Sequence, residues 1–189
     1  MLRVSENPPA RWPQDRPLIE DLGKWWVVRV RPRHEKALAW ELVRMEIGYY
    51  LPLMTKRTIR RDTGKPRKSI ICLFPGYISV VGYPEKRQEI FRTGRVLKAL
   101  EVIDQEKFVS ELENVRHALE GGVQVGVEPR LAVGRTVLIT QGPLAGVTGV
   151  VTEMKRPTRV YLNVEMFNRA VTVAVPPEYL EVLSGGRLS

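Results

Sequence analysis

Between Arg135 and Val175 apolar residues recur at every second position in short runs, and this pattern narrows the possible folds more than any other. Val137 and Ile139 alternate with Thr136, Leu138 and Thr140; Val160, Leu162 and Val164 alternate with Tyr161, Asn163 and Glu165; Val171, Val173 and Val175 alternate with Thr172 and Ala174. A period of two gives each strand a single apolar face. Strands this short bury that face by curling into a small barrel. In Gly142-Pro143-Leu144-Ala145-Gly146 the proline restricts φ and the glycines permit φ > 0, so the chain reverses tightly. The β-branched residues oppose a helical alternative, so strands are expected here.

The rest of this 189-residue chain is long enough for a second small domain. A hydrophobic content of 43% supports packed cores, and 27% charged residues is ordinary for a soluble chain. No apolar run is long enough to span a membrane. The N-terminus has prolines at positions 8, 9, 13 and 17 and no apolar core of a secretory signal, so a cytoplasmic address is expected. Cys72 is the only cysteine and is flanked by Ile70, Ile71 and Leu73, which reads as a buried strand position. With His34 and His117 the only histidines, no Cys/His metal site and no Cys-His nucleophile pair has local logic. Gly-x-x-x-x-Gly-Lys-Ser/Thr is absent, as is a strand-borne Gly-x-Gly-x-x-Gly. The chain is therefore expected to be no enzyme, to carry no cofactor or metal, and to act as a monomer.

The N-terminal part carries helices as well as strands. Trp25 to Arg31 alternates as a strand. A helix from about His34 to Ile47 places Leu38, Leu42 and Met45 on one stripe, with Trp40 on the opposite side and Gly48 closing it. Pro84 opens a short helix that Gly94 ends, and Val96 to Ile103 reads as a strand. Asp104 is a good N-cap for a last helix whose Phe108, Leu112, Val115 and Leu119 must pack against a sheet; Gly121-Gly122 stops it. The order β-α-β-β-α-β-α predicts helices covering a mostly antiparallel sheet. The fold class is thus α+β. An arm over 1–23 precedes an N-terminal domain at 24–120. A linker at 121–133 leads to a five-stranded SH3-like barrel at 134–183, and 184–189 form a tail.

The net charge of +9 is concentrated in residues 1–120, where 23 Lys/Arg face 16 Asp/Glu. Extended runs at Tyr49–Arg61 and Ser69–Val81 flank the turn cluster Asp62-Thr-Gly-Lys-Pro and predict a long hairpin. Lys56, Arg57, Arg60, Arg61, Lys65, Arg67 and Lys68 crowd onto it, with Asp62 the only acid between Lys56 and Lys68. Such a cluster is either a solvated charged loop or a site for nucleic-acid phosphate.

Trp26-Val-Val, Leu73-Phe-Pro-Gly-Tyr and Arg92-Thr-Gly-Arg-Val, followed by the Gly142-Pro-Leu-Ala-Gly turn, together resemble the NusG family of bacterial transcription elongation factors. The latter turn looks like a KOW motif, which ribosomal proteins also carry. The resemblance implies a factor of transcription elongation or antitermination. Phe74, Pro75 and Tyr77 would grip the clamp helices of the largest subunit of RNA polymerase, and the basic hairpin would touch DNA or nascent RNA. Val164-Glu-Met-Phe-Asn-Arg-Ala resembles the family's strand-loop-strand, so Met166, Phe167 and Arg169 would meet Rho or a small-subunit ribosomal protein. Asn168 stands where the family has glycine, a substitution compatible with φ > 0. Val127-Glu-Pro-Arg-Leu is similar to operon-specific paralogues. The competing reading is a KOW-type RNA-binding or ribosome-associated protein that does not act on polymerase.

Overall fold

The computed structural model describes residues 6–59, 64–128, 130, 132–153 and 156–184. Contacts divide the chain into two compact units, one ending at Ile103 and the other beginning at Asp104.

The first unit is built on five antiparallel strands: β1 (Arg11–Trp12), β2 (Lys24–Val30), β3 (Gly48–Tyr50), β6 (Tyr77–Gly82) and β7 (Val96–Glu101), in the order β1-β3-β6-β2-β7. Helices α1 (Glu35–Arg44) and α2 (Lys86–Arg92) supply its other layer. Trp26, Val28 and Val30 of β2 share one face with Ile78 and Val80 of β6, and α1 lays Leu38, Ala39 and Leu42 into the same cluster. Trp25, Val27 and Val81 on the other face are buried too, so β2 reads as a nearly continuous apolar run.

Helix α1 ends sooner than its apolar stripe suggests. Glu46 takes the left-handed conformation at φ 54°, with Glu46 N–H donating to the Val43 carbonyl and Ile47 N–H to the Leu42 carbonyl, a Schellman closure made without glycine. Gly48, expected to end the helix, instead opens β3. A Cβ there would stand 2.5 Å from Val81 Cγ1, so the close approach of β3 to β6 requires a residue without one.

Strands β4 (Leu53–Ile59) and β5 (Pro66–Cys72) pair only with each other, as a two-stranded ribbon. The expected extended run from Ser69 to Val81 is broken by the turn that separates β5 from β6.

The N-terminal arm is part of this unit. Strand β1 adds to the free edge of β3, with Arg11 opposite Tyr50 and Trp12 opposite Tyr49. The Tyr49 hydroxyl donates to the Pro9 carbonyl at 2.8 Å, Leu51 N–H to Ala10 at 2.7 Å, and Trp40 Nε1–H to Glu6 at 3.2 Å. Burial pushes the Tyr49 phenol well above its ordinary range, so it stays a neutral donor. Arg11 donates to both carboxylate oxygens of Asp21 at 3.0 and 2.9 Å, and Leu18 is fully buried. Trp40, placed by the sequence opposite the core stripe, therefore meets the arm.

In the second unit, helix α3 (Gln105–Glu120) precedes six antiparallel strands: β8 (Val125–Glu128), β9 (Arg135–Ile139), β10 (Thr148–Val151), β11 (Thr158–Val164), β12 (Arg169–Val175) and β13 (Leu180–Ser184). They are arranged in the order β13-β9-β10-β11-β12-β8. Six strands stand where five were expected. The additional one, β8, comes from 121–133, the segment read as linker, and pairs along β12 from Ala170 to Val173. The alternation seen in the sequence becomes burial: Val137, Ile139, Val160, Leu162, Val164, Val171, Val173 and Val175 are all buried. Gly142 and Gly146 take φ 80° and 88° in the turn before β10.

Asp104 caps α3, its Oδ1 accepting Lys107 N–H at 3.0 Å, and Phe108, Leu112 and Val115 are buried. The sheet that receives this stripe is the C-terminal one, through β11. The sequence places the end of the first domain at 120, whereas packing groups α3 with the C-terminal strands.

Asp21 collects the arm's charged contacts while its own side chain is 1% exposed. Replacing Asp21 by Ala is expected to cost about 1.5–3 kcal/mol, the range for hydrogen bonds to charged groups. Urea denaturation checks this, and limited proteolysis should show the arm cut faster than in the wild type.

Candidate functional site

The turn between β5 and β6 comprises Phe74, Pro75 and Gly76 and leads into Tyr77. Its backbone is held from three directions. Leu73 N–H donates to Pro52 at 2.8 Å, Val30 N–H to Gly76 at 2.8 Å, and Gly76 N–H to the Glu35 Oε1 carboxylate at 2.7 Å. Gly76 has φ 87°, a conformation that favours glycine. Glu35 opens α1 and is only 7% exposed, so its carboxylate is a buried anchor for the turn. Sequence reasoning missed it. A glutamate in the first turn of a helix looks like a favourable dipole contact, and only the fold aims it at a loop 41 residues away.

Phe74 is 2% exposed and belongs to the core, so its ring fixes the turn from inside. Pro75 is exposed and Tyr77 half-buried. Tyr77 lies opposite Arg29 of β2, which in turn lies opposite Lys98 of β7. Tyr77, Arg29 and Lys98 thus form a row across three strands, with both cations exposed. Cys72 stands just before the turn. Burial, and after it the Glu35 carboxylate, pushes its thiol up to about 11, which keeps it protonated and a poor nucleophile at neutral pH.

The basic residues fall on the ribbon as expected where they are described. Lys56, Arg57, Lys65, Arg67 and Lys68 are exposed, while Arg60 and Arg61 lie outside the described residues. Arg57 is directly opposite Lys68, Thr58 opposite Arg67, and Lys56 opposite Ser69.

Met166, Phe167 and Arg169 lie at the corner between β11 and β12, where Asn168 takes φ 50°, ψ 47° and so stands in for glycine. Met166 and Arg169 are half-buried, but Phe167 is only 4% exposed. Phe108 of α3 meets it edge-on, ring centroids 6.0 Å apart at 85°. Polar contacts ring this pair: Lys107 Nζ to Glu165 Oε1 at 2.6 Å, Glu165 N–H to Glu111 Oε2 at 3.0 Å, and Asn114 Nδ2 to Thr148 Oγ1 at 3.3 Å. Helix α3 therefore lies over Phe167, one of the three residues assigned to partner binding.

Among the described residues no group of His, Cys, Asp and Glu is arranged to hold a metal ion, and no helix is long and apolar enough to cross a membrane.

Two carboxyl groups beside these sites are open to test. Glu35→Ala removes the acceptor of a buried N–H and is expected to cost about 1–3 kcal/mol, with Glu35→Gln recovering part of it, read as urea midpoints. The other group is Glu111, which faces Asp104, Lys107 and Glu165. Burial pushes its carboxyl from 4.5 up to about 7, against the lowering effect of the Glu165 N–H. A raised folded value means that native packing favours the protonated acid. Stability at this seam is then complete below about 4.5 and is lost as pH rises through about 7. Urea midpoints measured across that window should fall in the wild type and flatten in Glu111→Gln.

No curated protein matches this chain. Residues 23–125 match the NusG family, described as transcription termination factor nusG. The matched stretch takes in β2, the α1 carboxylate, the turn before β6, the ribbon and α3. Members of that family interact with RNA polymerase, and because the match spans more than half of the chain, this protein belongs to the NusG family and is a factor of transcription termination or elongation.

Proposed function

We propose that this chain is an elongation and antitermination factor that docks on RNA polymerase through the turn before β6. The observation that carries this reading is the rigid turn itself, inside the family match and anchored by Glu35 and Phe74, with Pro75 and Tyr77 at its surface. Aromatic and arginine side chains are the usual anchors of protein interfaces. Tyr77 beside Arg29 and Lys98 suits a partner surface with both apolar and acidic character, and the clamp helices of the largest polymerase subunit are the partner that the family implies. Phe74 acts from below by holding the turn in shape.

The ribbon then reaches DNA or nascent RNA beside the polymerase, through phosphate contacts made by its exposed cations. The C-terminal strands serve as the SH3-like KOW domain that the resemblance implies, and that domain recruits a second protein, Rho or a small-subunit ribosomal protein, at Met166, Phe167 and Arg169. Since α3 covers Phe167, such a partner first meets Met166 and Arg169 and gains Phe167 by displacing Phe108. The action is one of differential binding to polymerase states, with nothing turned over.

Single-round transcription by a bacterial RNA polymerase tests this. The wild type is expected to speed elongation or raise read-through of terminators, and Tyr77→Ala, checked for an unchanged melting temperature, to lose both that effect and binding to polymerase. Retained binding and activity in Tyr77→Ala would move the docking surface elsewhere.

A further inference from the structure

The stretch 121–133 has the composition of a linker, yet two points of it are seated on the C-terminal sheet. Strand β8 pairs along one edge of β12, with Glu128 opposite Ala170, Val127 opposite Val171, Gly126 opposite Thr172 and Val125 opposite Val173. Ala132 is then held by one side chain of β11. Its N–H donates to Asn163 Oδ1 at 3.0 Å, and its carbonyl accepts from Asn163 Nδ2 at 2.8 Å. Asn163 and Glu128 both lie opposite Ala170, from the two sides of β12, so the amide and the end of β8 share one row across the sheet.

Backbone groups dominate this contact. Each of β9, β10, β11 and β12 buries at least two residues, whereas no residue of β8 is buried and Val127 is 39% exposed. Asn163 recognises an N–H and a carbonyl, which every residue except proline offers. One requirement on the side chain remains. A Cβ at Gly126 would stand 2.5 Å from Thr172 Oγ1, so a strand lying here needs glycine opposite Thr172. Without β8, the β12 edge presents unpaired backbone groups, the template on which an extended peptide adds as a further strand. In such sites main-chain hydrogen bonds give affinity and the fit of alternate side chains gives specificity. Strand β8 holds the edge because it is tethered, at an effective concentration on the order of millimolar, rather than by burying apolar surface.

We propose that the β12 edge and Asn163 form a strand-accepting site, occupied at rest by β8 and Ala132, which takes an extended segment of a partner protein carrying glycine opposite Thr172. Release of β8 returns 121–133 to the tether that its three glycines and its proline encode. The site makes no use of Met166, Phe167 or Arg169, so it stands apart from their role.

The test uses the full chain and a fluorescent peptide of its own residues 121–133, with binding read by anisotropy. Gly126→Val sets a branched side chain against Thr172 and frees the site while leaving β12 and Asn163 unaltered. The peptide is expected to bind this variant and to bind the wild type more weakly. Adding Asn163→Ala should weaken that binding on the order of tenfold, as the loss of two hydrogen bonds predicts. A peptide with valine in place of its third glycine should not bind. Absence of binding to Gly126→Val, or equal binding to it and to the wild type, would overturn the proposal. So would binding indifferent to Asn163→Ala or to the glycine of the peptide. Loss of the cooperative melting transition in Gly126→Val would show that β8 is integral to the sheet rather than exchangeable, and would overturn it as well.

Discussion

A single hydrogen bond from Gly76 N–H to the buried Glu35 carboxylate sets the position of most of what matters in the first unit. It ties the start of α1 to the turn before β6, and β6 is the strand between β3 and β2 in the sheet. Once that turn is placed, the register is set: Tyr77 falls opposite Arg29, Ile78 opposite Val28, and the core alternation is fixed to one side. A slip by one residue would turn Ile78 and Val80 away from α1 and bring Tyr77 and Ser79 into the apolar cluster. The carboxylate is costly to bury alone, and the N–H it receives offsets that cost while fixing the backbone of the turn before β6.

Helix α3 illustrates how an element can belong to one unit by family and to another by packing. The family match runs through it, yet its apolar stripe packs on β11 and its Phe108 on Phe167. An aromatic pair of this geometry contributes about 0.5–1.5 kcal/mol beyond its buried area. That is small enough for a binding partner to replace. The seam also carries Glu111, whose preference for the protonated form makes the contact weaker on the alkaline side of neutrality.

The arm ahead of the matched stretch depends on the same logic of satisfying backbone groups. Its carbonyls at Glu6, Pro9 and Ala10 receive a tryptophan, a tyrosine and a main-chain donor from the sheet unit, and Asp21 gathers Arg11 and Arg16. Strand β1 thereby covers the β3 edge, which would otherwise offer unpaired backbone groups for intermolecular pairing.

Local pattern determined a good deal on its own. Period-two valines became the strands of the second unit, Asp104 capped α3, Gly142 and Gly146 turned with positive φ, Asn168 did the same in place of glycine, and Lys56, Arg57, Lys65, Arg67 and Lys68 stood exposed on a hairpin. Each of these depends on neighbours within a few residues, where propensity, alternation and backbone sterics act. Tertiary structure alone decided that Glu35 would hold a turn 41 residues away, that Phe74 would be core while Pro75 faced solvent, that α3 would lie over Phe167, and that β8 would join a sheet as its sixth strand. An apolar stripe or a carboxylate encodes the need for a partner without saying which one, because burial and hydrogen bonding are satisfied by any surface of suitable shape. Which surface comes within reach is settled only when the whole chain has packed.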